Sequence, residues 1–296
     1  MIIKDAFEPF FTWQEKMGMS LKTIENDRYY LEGALAHSIQ DIEIMDLKKT
    51  DVSKVIEAGR KCGKYGPQRG VCILRKLLKY LKESGHRVPF RWQDLKIPTV
   101  SQKKVEYLTE DELERILGAI DLTVPSGLRT RTLLEVLYAT GLRIGEAISM
   151  DQKDIDWENK EAIVVNVKSK EPEKVFFTDR SLHWLKRYLA GREDGNPALF
   201  APCEGEGVRL TRNASQSRMR DQLWGIMESL GIRKKINHHI FRKTFVTHLI
   251  QRGGDIMAVK DLARHRSERT TLLNYAGVDK QRSKAIHAKI MNDLLG

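Results

Sequence analysis

Ala139-Thr140-Gly141-Leu142-Arg143-Ile144-Gly145-Glu146-Ala147 is the stretch on which the fold turns. Thr130 to Tyr138 leads into it as a helix. Thr140-Gly141 ends that helix, because glycine enters the left-handed conformation that closes a helix at no steric cost. A second helix starts at Arg143 and runs to Met150, which sets Glu146 one turn beyond Arg143, placed to orient it.

The helical reading extends outward from this corner. Thr109-Glu110-Asp111-Glu112 is a capping box, in which hydroxyl and carboxylate satisfy each other's exposed backbone donors. Phe7, Phe10, Phe11 and Trp13 fall near helical spacing between Ala6 and Met17, and Gly18 supplies a stop. Ser20 caps a second helix carrying Leu21, Ile24, Tyr29, Leu31 and Leu35 to about His37. Asp51 to Ala58 is a shorter helix, and Pro67 to Glu83, with Val71, Leu74, Leu77, Leu78 and Leu81, a longer one. Downstream, Ile163, Val165 and Val167 alternate with Val164, Asn166 and Lys168, and Val175-Phe176-Phe177 is a second β-prone run, so a hairpin is expected. Helices resume over Ser181–Ala190, Gln216–Leu230, His239–Arg252 and Ala285–Leu295.

The expected fold is therefore mainly α: an N-terminal helical bundle plus a mixed α/β domain with a small antiparallel sheet. Pro89 and then Ile97-Pro98-Thr99-Val100-Ser101-Gln102-Lys103-Lys104 interrupt the periodicity. They divide the chain into domains 1–98 and 107–296 joined by a linker, 99–106.

A chain of 296 residues suits two domains. Hydrophobic residues at 41% beside 31% charged exclude wholesale disorder, and no stretch reaches the ~20 apolar residues of a membrane span. The net charge is +11, and residues 1–98, with 18 Lys+Arg against 13 Asp+Glu, hold +5 of it, leaving +6 for the rest. Two basic domains suit two lobes gripping one polyanion, nucleic acid first. Cys62, Cys72 and Cys203 form no Cys-x-x-Cys pair, so neither a disulfide framework nor a zinc site is indicated. The N-terminus lacks the basic-then-apolar pattern of a secretory leader, and a cytoplasmic protein is expected. Gly59 to Tyr65 is one residue short of a phosphate-binding loop and ends in Tyr65 rather than a hydroxyl ligand for Mg²⁺. Gly205-Glu206-Gly207 lacks the third glycine of a dinucleotide fingerprint. No nucleotide, metal or other cofactor is expected, since no His-Glu-x-x-His or carboxylate cluster is present.

His239-Ile240-Phe241-Arg242 sets an imidazole and a guanidinium on one face at a helix start, where exposed N–H groups already favour an anion. Arg264-His265-Arg266-Ser267 follows, then Thr270-Thr271 and Tyr275. His37, His86, His183, His238, His248 and His287 fit none of these boxes.

In this order the boxes resemble the tyrosine recombinases, the family of phage integrases and Xer-type resolvases. The resemblance covers nearly the whole chain: residues 7–37 look like the core-binding domain, and Tyr107-Leu108-Thr109 like the start of the catalytic domain. It implies Arg143, His239, Arg242 and His265 as catalytic donors around a phosphate, Glu146 as the support of Arg143, and Tyr275 as nucleophile. The family's hairpin lysine falls among Lys168, Lys170 and Lys174. Lys168 is favoured because it directly follows the first strand, with Lys170 next and otherwise a DNA contact. Arg264 stands where a glycine commonly precedes the third-box histidine, so it is expected to crowd the pocket or contact a phosphate. Phe241-Arg242-Lys243 and Phe176-Phe177 are further departures.

The chemistry fits these residue types. Charge on the non-bridging oxygens of a pentacoordinate phosphorus is neutralised by two arginines and histidine donors. A phenol of pKa near 10 needs a base, for which His239 serves, and the leaving 5′-oxygen needs a proton, which a lysine supplies. The resemblance implies a site-specific recombinase clamping double-stranded DNA as a homotetramer on two sites, through a 3′-phosphotyrosyl intermediate. Two rivals stand beside it: a type IB topoisomerase, which shares the tyrosine chemistry, and a catalytically idle DNA-binding regulator of the same fold.

Overall fold

The computed structural model describes residues 1–34, 36–100, 105–165, 171–203 and 210–265, with the backbone alone at 34, 36, 37 and 212–218. The chain divides into two compact units, Met1–Lys103 and Lys104–Gly296.

The first unit contains α1 (Phe7–Lys16), α2 (Leu21–Arg28), α3 (Ala36–Ile39), α4 (Val52–Arg60) and α5 (Gly66–Glu83). Phe7, Phe10, Phe11 and Gln14 point inward from α1, the spacing of one helical face. The Phe10 ring centre lies 5.7 Å from that of Tyr80 on α5. Gln14 Nε2 and Lys76 Nζ each donate to Asp27 Oδ2 at 2.7 Å, which satisfies a buried carboxylate. Where α4 meets α5 the backbones touch: a Cβ on Gly59 would lie 2.7 Å from the Gly66 carbonyl carbon. Only glycine fits there.

The helix expected from Ser20 to about His37 is broken. It stops at Arg28, and Tyr29–Ala34 winds as a wider π turn. The extra residue in that turn brings neighbours Tyr30 and Leu31 both into the core, and Gly33 weakens the α alternative.

The second unit holds α6 (Glu110–Gly118), α7 (Pro125–Thr140), α8 (Ile144–Ser149), β1 (Ile155–Asp156), β2 (Glu161–Val165), β3 (Pro172–Phe176), α9 (Asp179–Ala190), α10 (Arg212–Ser229), α11 (His238–Gln251) and α12 (Ile256–Leu262). The Thr109 box forms as its sequence requires: Glu112 N–H donates to Thr109 Oγ1 at 3.2 Å, and Thr109 N–H to Glu112 Oε2 at 2.7 Å. Helix α7 begins at Pro125, ahead of the expected Thr130. It is enclosed by its neighbours, burying Leu133, Leu134, Val136 and Leu137, each worth about 1.5–3 kcal/mol relative to exposure.

The sheet is antiparallel in the order β1-β2-β3, with Ala162 opposite Val175 and Val164 opposite Glu173. Ala162, Val164 and Val175 face the core, while Ile163 and Val165 are 60% and 59% exposed. The pair that carried the alternation in sequence thus lies on the outer face. Residues 166–170, including Val167, lie outside the described residues, as does the helix expected over Ala285–Leu295.

Candidate active site

The site is built on the corner between α7 and α8. Gly141 closes α7 with φ +61, its N–H donating to Leu137 O at 3.0 Å. A Cβ here would lie 2.5 Å from the Phe245 ring, so the corner needs glycine for conformation and for space. Arg143 is the N-cap of α8. Its N–H donates to Glu146 Oε2 at 2.8 Å, and its Nη1 to Glu146 Oε1 at 2.6 Å. The Glu146 side chain is fully buried, whereas that of Arg143 is 31% exposed. Burial would raise the Glu146 pKa. The two hydrogen bonds from Arg143 and the charge of Arg264 outweigh it and hold the carboxyl below its ordinary value.

Arg242 reaches the same corner from α11, donating to the carbonyls of Gly141 and Ala263. Burial first, then the charges of Arg143 and Arg264, pull its pKa down to about 9. His265 follows α12, and its N–H donates to Lys260 O at 3.0 Å. Burial, then Arg242, Arg143 and Arg264, bring its pKa to about 4. At neutral pH His265 is uncharged and offers an N–H without adding to the positive charge.

The structure thus gathers Arg143, Glu146, Arg242 and His265 from three separate segments of the chain. His239 lies in the first turn of α11, one turn before Arg242. It is exposed, with its ring 4.2 Å from that of His238. Tyr275, Lys168 and Lys170 lie outside the described residues. Lys174 is on β3 and donates to Glu161 across the strand pair at 2.6 Å.

Arg264 corrects the expectation of a phosphate contact. Its side chain is 2% exposed, and its Nη2 donates to Glu146 Oε2 at 3.0 Å. A guanidinium so buried, already paired with a carboxylate, is an internal group rather than a DNA-facing one. Its Nε lies 3.5 Å from Glu173 Oε2 on β3. Glu173 had no motif to mark it in the sequence: only the strand register brings it here.

His248, outside every box, anchors the start of this unit. A carbonyl only accepts, so the 2.9 Å contact from His248 Nε2 to Leu108 O places the proton on Nε2. Nδ1 then accepts from Tyr138 Oη at 2.9 Å. Burial lowers its pKa and keeps this neutral form. Thr244 Oγ1 accepts the Leu108 N–H at 2.9 Å. Among the described residues no group of three or more His, Cys, Asp or Glu side chains is arranged to hold a metal ion, and no helix is long and apolar enough to cross a membrane.

Residues 106–282 match the phage integrase family. Tyrosine recombinase XerA of Pyrococcus horikoshii is 27% identical over 299 residues, covering 100% of this chain and 98% of its own. Tyrosine recombinase XerC of Serratia marcescens is 30% identical over 258 residues, covering 84% and 82%. Among solved structures, the Tn1549 transposon integrase in complex with circular intermediate DNA superposes with a TM-score of 0.76 at 18% identity, covering 97% of this chain and 99% of that one. A lambda integrase tetramer bound to a Holliday junction gives 0.72 at 15% identity, covering 90% and 78%. A helical protein with a small antiparallel sheet, whose distant arginine boxes meet at one corner and whose sequence matches these relatives along most of its length, belongs to the phage integrase family of site-specific tyrosine recombinases.

Proposed function

We propose that this recombinase cleaves and rejoins double-stranded DNA with Tyr275 as its nucleophile. The phenol oxygen of Tyr275 attacks phosphorus, the bond to the 5′-oxygen breaks, and a 3′-phosphotyrosyl link forms. His239 takes the phenol proton, and Lys168, or Lys170 in its place, gives a proton to the departing 5′-oxygen. A 5′-hydroxyl from another strand then reverses the step. One ester replaces another, so the bond energy is kept and no nucleotide is consumed.

The observation that carries this reading is the cluster of Arg143, Arg242 and Arg264, three guanidiniums whose charges depress one another's neighbours and are offset by the carboxylates of Glu146 and Glu173. One positive charge remains over. It suits a phosphodiester, and more so the transition state, where the non-bridging oxygens carry additional negative charge. His265, neutral at pH 7, adds a hydrogen bond. The helical domain 1–98 and the catalytic domain 107–296 each bind the duplex, and four copies act on two sites in the cytoplasm. The Tn1549 integrase solved on DNA and the lambda integrase solved as a tetramer on a Holliday junction support that assembly.

The test begins with DNA trapped covalently on the protein in cells and sequenced. A nicked suicide duplex built on the recovered sequence should give an adduct on a denaturing gel with the wild type and none with Tyr275→Phe. An undiminished adduct with Tyr275→Phe, or none with the wild type, rejects the mechanism.

A further inference from the structure

We infer that Arg264 is a positioning residue, a buried guanidinium that binds the α7–α8 corner to strand β3 and so fixes Arg143, through Glu146, for strand cleavage. The inference rests on the strand-transfer reading above. The Arg264 guanidinium is directed at Glu146 and the α7 carbonyls rather than at DNA.

Four contacts define its role. Nη2 donates to Glu146 Oε2 at 3.0 Å and lies 3.3 Å from Gly141 O; Nη1 lies 3.4 Å from Thr140 O; and Nε lies 3.5 Å from Glu173 Oε2. The two carbonyls close the C-terminal end of α7, where the helix carries partial negative charge and attracts a cation. Gly141 O also accepts from Arg242. Both guanidiniums therefore hold one peptide group at the corner from which Arg143 projects two residues later.

Charge sharing explains what this does for Arg143. Glu146 Oε1 accepts from Arg143 Nη1, while Oε2 accepts both the Arg143 N–H and Arg264 Nη2. Without Arg264, Arg143 becomes the principal counter-charge of a buried carboxylate, and an incoming phosphate must compete for it. With Arg264 in place the carboxylate is already balanced in part, and Arg143 is aimed as much as it is neutralised. The contact to Glu173 carries the same charge to β3, the strand that follows residues 166–170 in the chain.

The backbone argues that this side chain is selected. Arg264 has φ +52, a conformation in which any residue with a Cβ is disfavoured and glycine is at ease. A large side chain at such a position is compensated by what it contacts.

The test uses the full-length chain and the nicked suicide duplex described above, with Arg264→Ala, Arg264→Lys and Glu173→Gln. Adduct formation in a single turnover at saturating duplex is measured beside affinity for intact duplex and the thermal midpoint. Displacing a catalytic group slightly is expected to slow Arg264→Ala by about 10–100-fold with duplex affinity unchanged. Arg264→Lys, which keeps the charge but not the fork, should fall between it and wild type. Glu173→Gln should lose less, and the double variant with Arg264→Ala no more than Arg264→Ala alone. A wild-type rate at saturating duplex in Arg264→Lys and Arg264→Ala overturns the inference. So does a loss confined to duplex affinity, which marks a phosphate contact, or a lowered thermal midpoint at unchanged rate, which marks a structural role only. Should Arg264→Ala not fold, Arg264→Lys and Glu173→Gln decide, and wild-type rates in both overturn it. Absence of any adduct with the wild type instead defeats the strand-transfer reading itself.

Discussion

Replacing Glu146 by glutamine removes one buried negative charge and little else. Gln keeps an acceptor for the Arg143 N–H, so the helix cap survives. What disappears is attraction to Arg143 at 2.6 Å and Arg264 at 3.0 Å. At an effective dielectric of about 20, each pair of charges some 4 Å apart is worth about 4 kcal/mol, so roughly 8 kcal/mol of attraction is lost in total. Relief of the carboxylate's desolvation offsets part of that, and breaking a buried pair typically costs a net 3–5 kcal/mol. The three guanidiniums are then left with Glu173 alone among the carboxylates of the cluster, and the Arg242 pKa, which Glu146 holds up, falls below its present value of about 9. The assay is native-state hydrogen exchange of amides in α7, α8 and α11, which reports this unit by itself. Their opening free energy should drop by about 3–5 kcal/mol, and sulfate or phosphate should restore more of it in Glu146→Gln than in wild type. A drop within about 1 kcal/mol, the range of an ordinary substitution, refutes the charge argument.

Three further outcomes follow from the same geometry. With a folded pKa of about 4 against an ordinary 6.5, His265 binds its proton more readily in the unfolded chain, so stability should fall by about 3 kcal/mol as pH drops from 6.5 through 4; urea midpoints of wild type and His265→Gln should diverge across that window, and parallel curves contradict the shift. Gly141→Ala combines φ +61 with a Cβ 2.5 Å from the Phe245 ring, a cost of about 2–5 kcal/mol by denaturation, and a loss below about 1 kcal/mol contradicts the close approach. Duplex affinity should fall linearly in log K against log salt with several phosphates engaged, whereas a flat response contradicts a grip on the DNA backbone.

Local chemistry made much of the fold legible. Ser20, Thr109 and the Thr140-Gly141 corner each carry their instruction in two to four adjacent residues, and helices start or stop there. Where the instruction was tertiary, the sequence was silent or misleading. Ile163 and Val165 look like the apolar face of a strand, yet the pairing of Ala162 with Val175 turns them outward. A wider turn at Tyr29–Ala34 satisfies the core in a way no 3.6-residue period shows, and α12, only seven residues long, is too short for periodicity to announce. In the candidate site, the order of the boxes pointed to the residues that meet only by resemblance; spacing along the chain said nothing of the contact between Arg242 and the Gly141 carbonyl. Arg264 was the clearest failure of local reasoning. Standing where a glycine is common, it was expected to crowd the pocket or contact a phosphate, and only the buried Glu146 shows why it is drawn inside.

In the mechanism proposed above one phenol, at position 275, becomes joined to DNA. Digesting the trapped adduct with trypsin and a nuclease, then sequencing the modified peptide by mass spectrometry, measures this directly. A nucleotide phosphate on Tyr275, attached through the 3′ end of the cleaved strand, is the expected product. A phosphate on any other side chain, or attachment through the 5′ end, contradicts it.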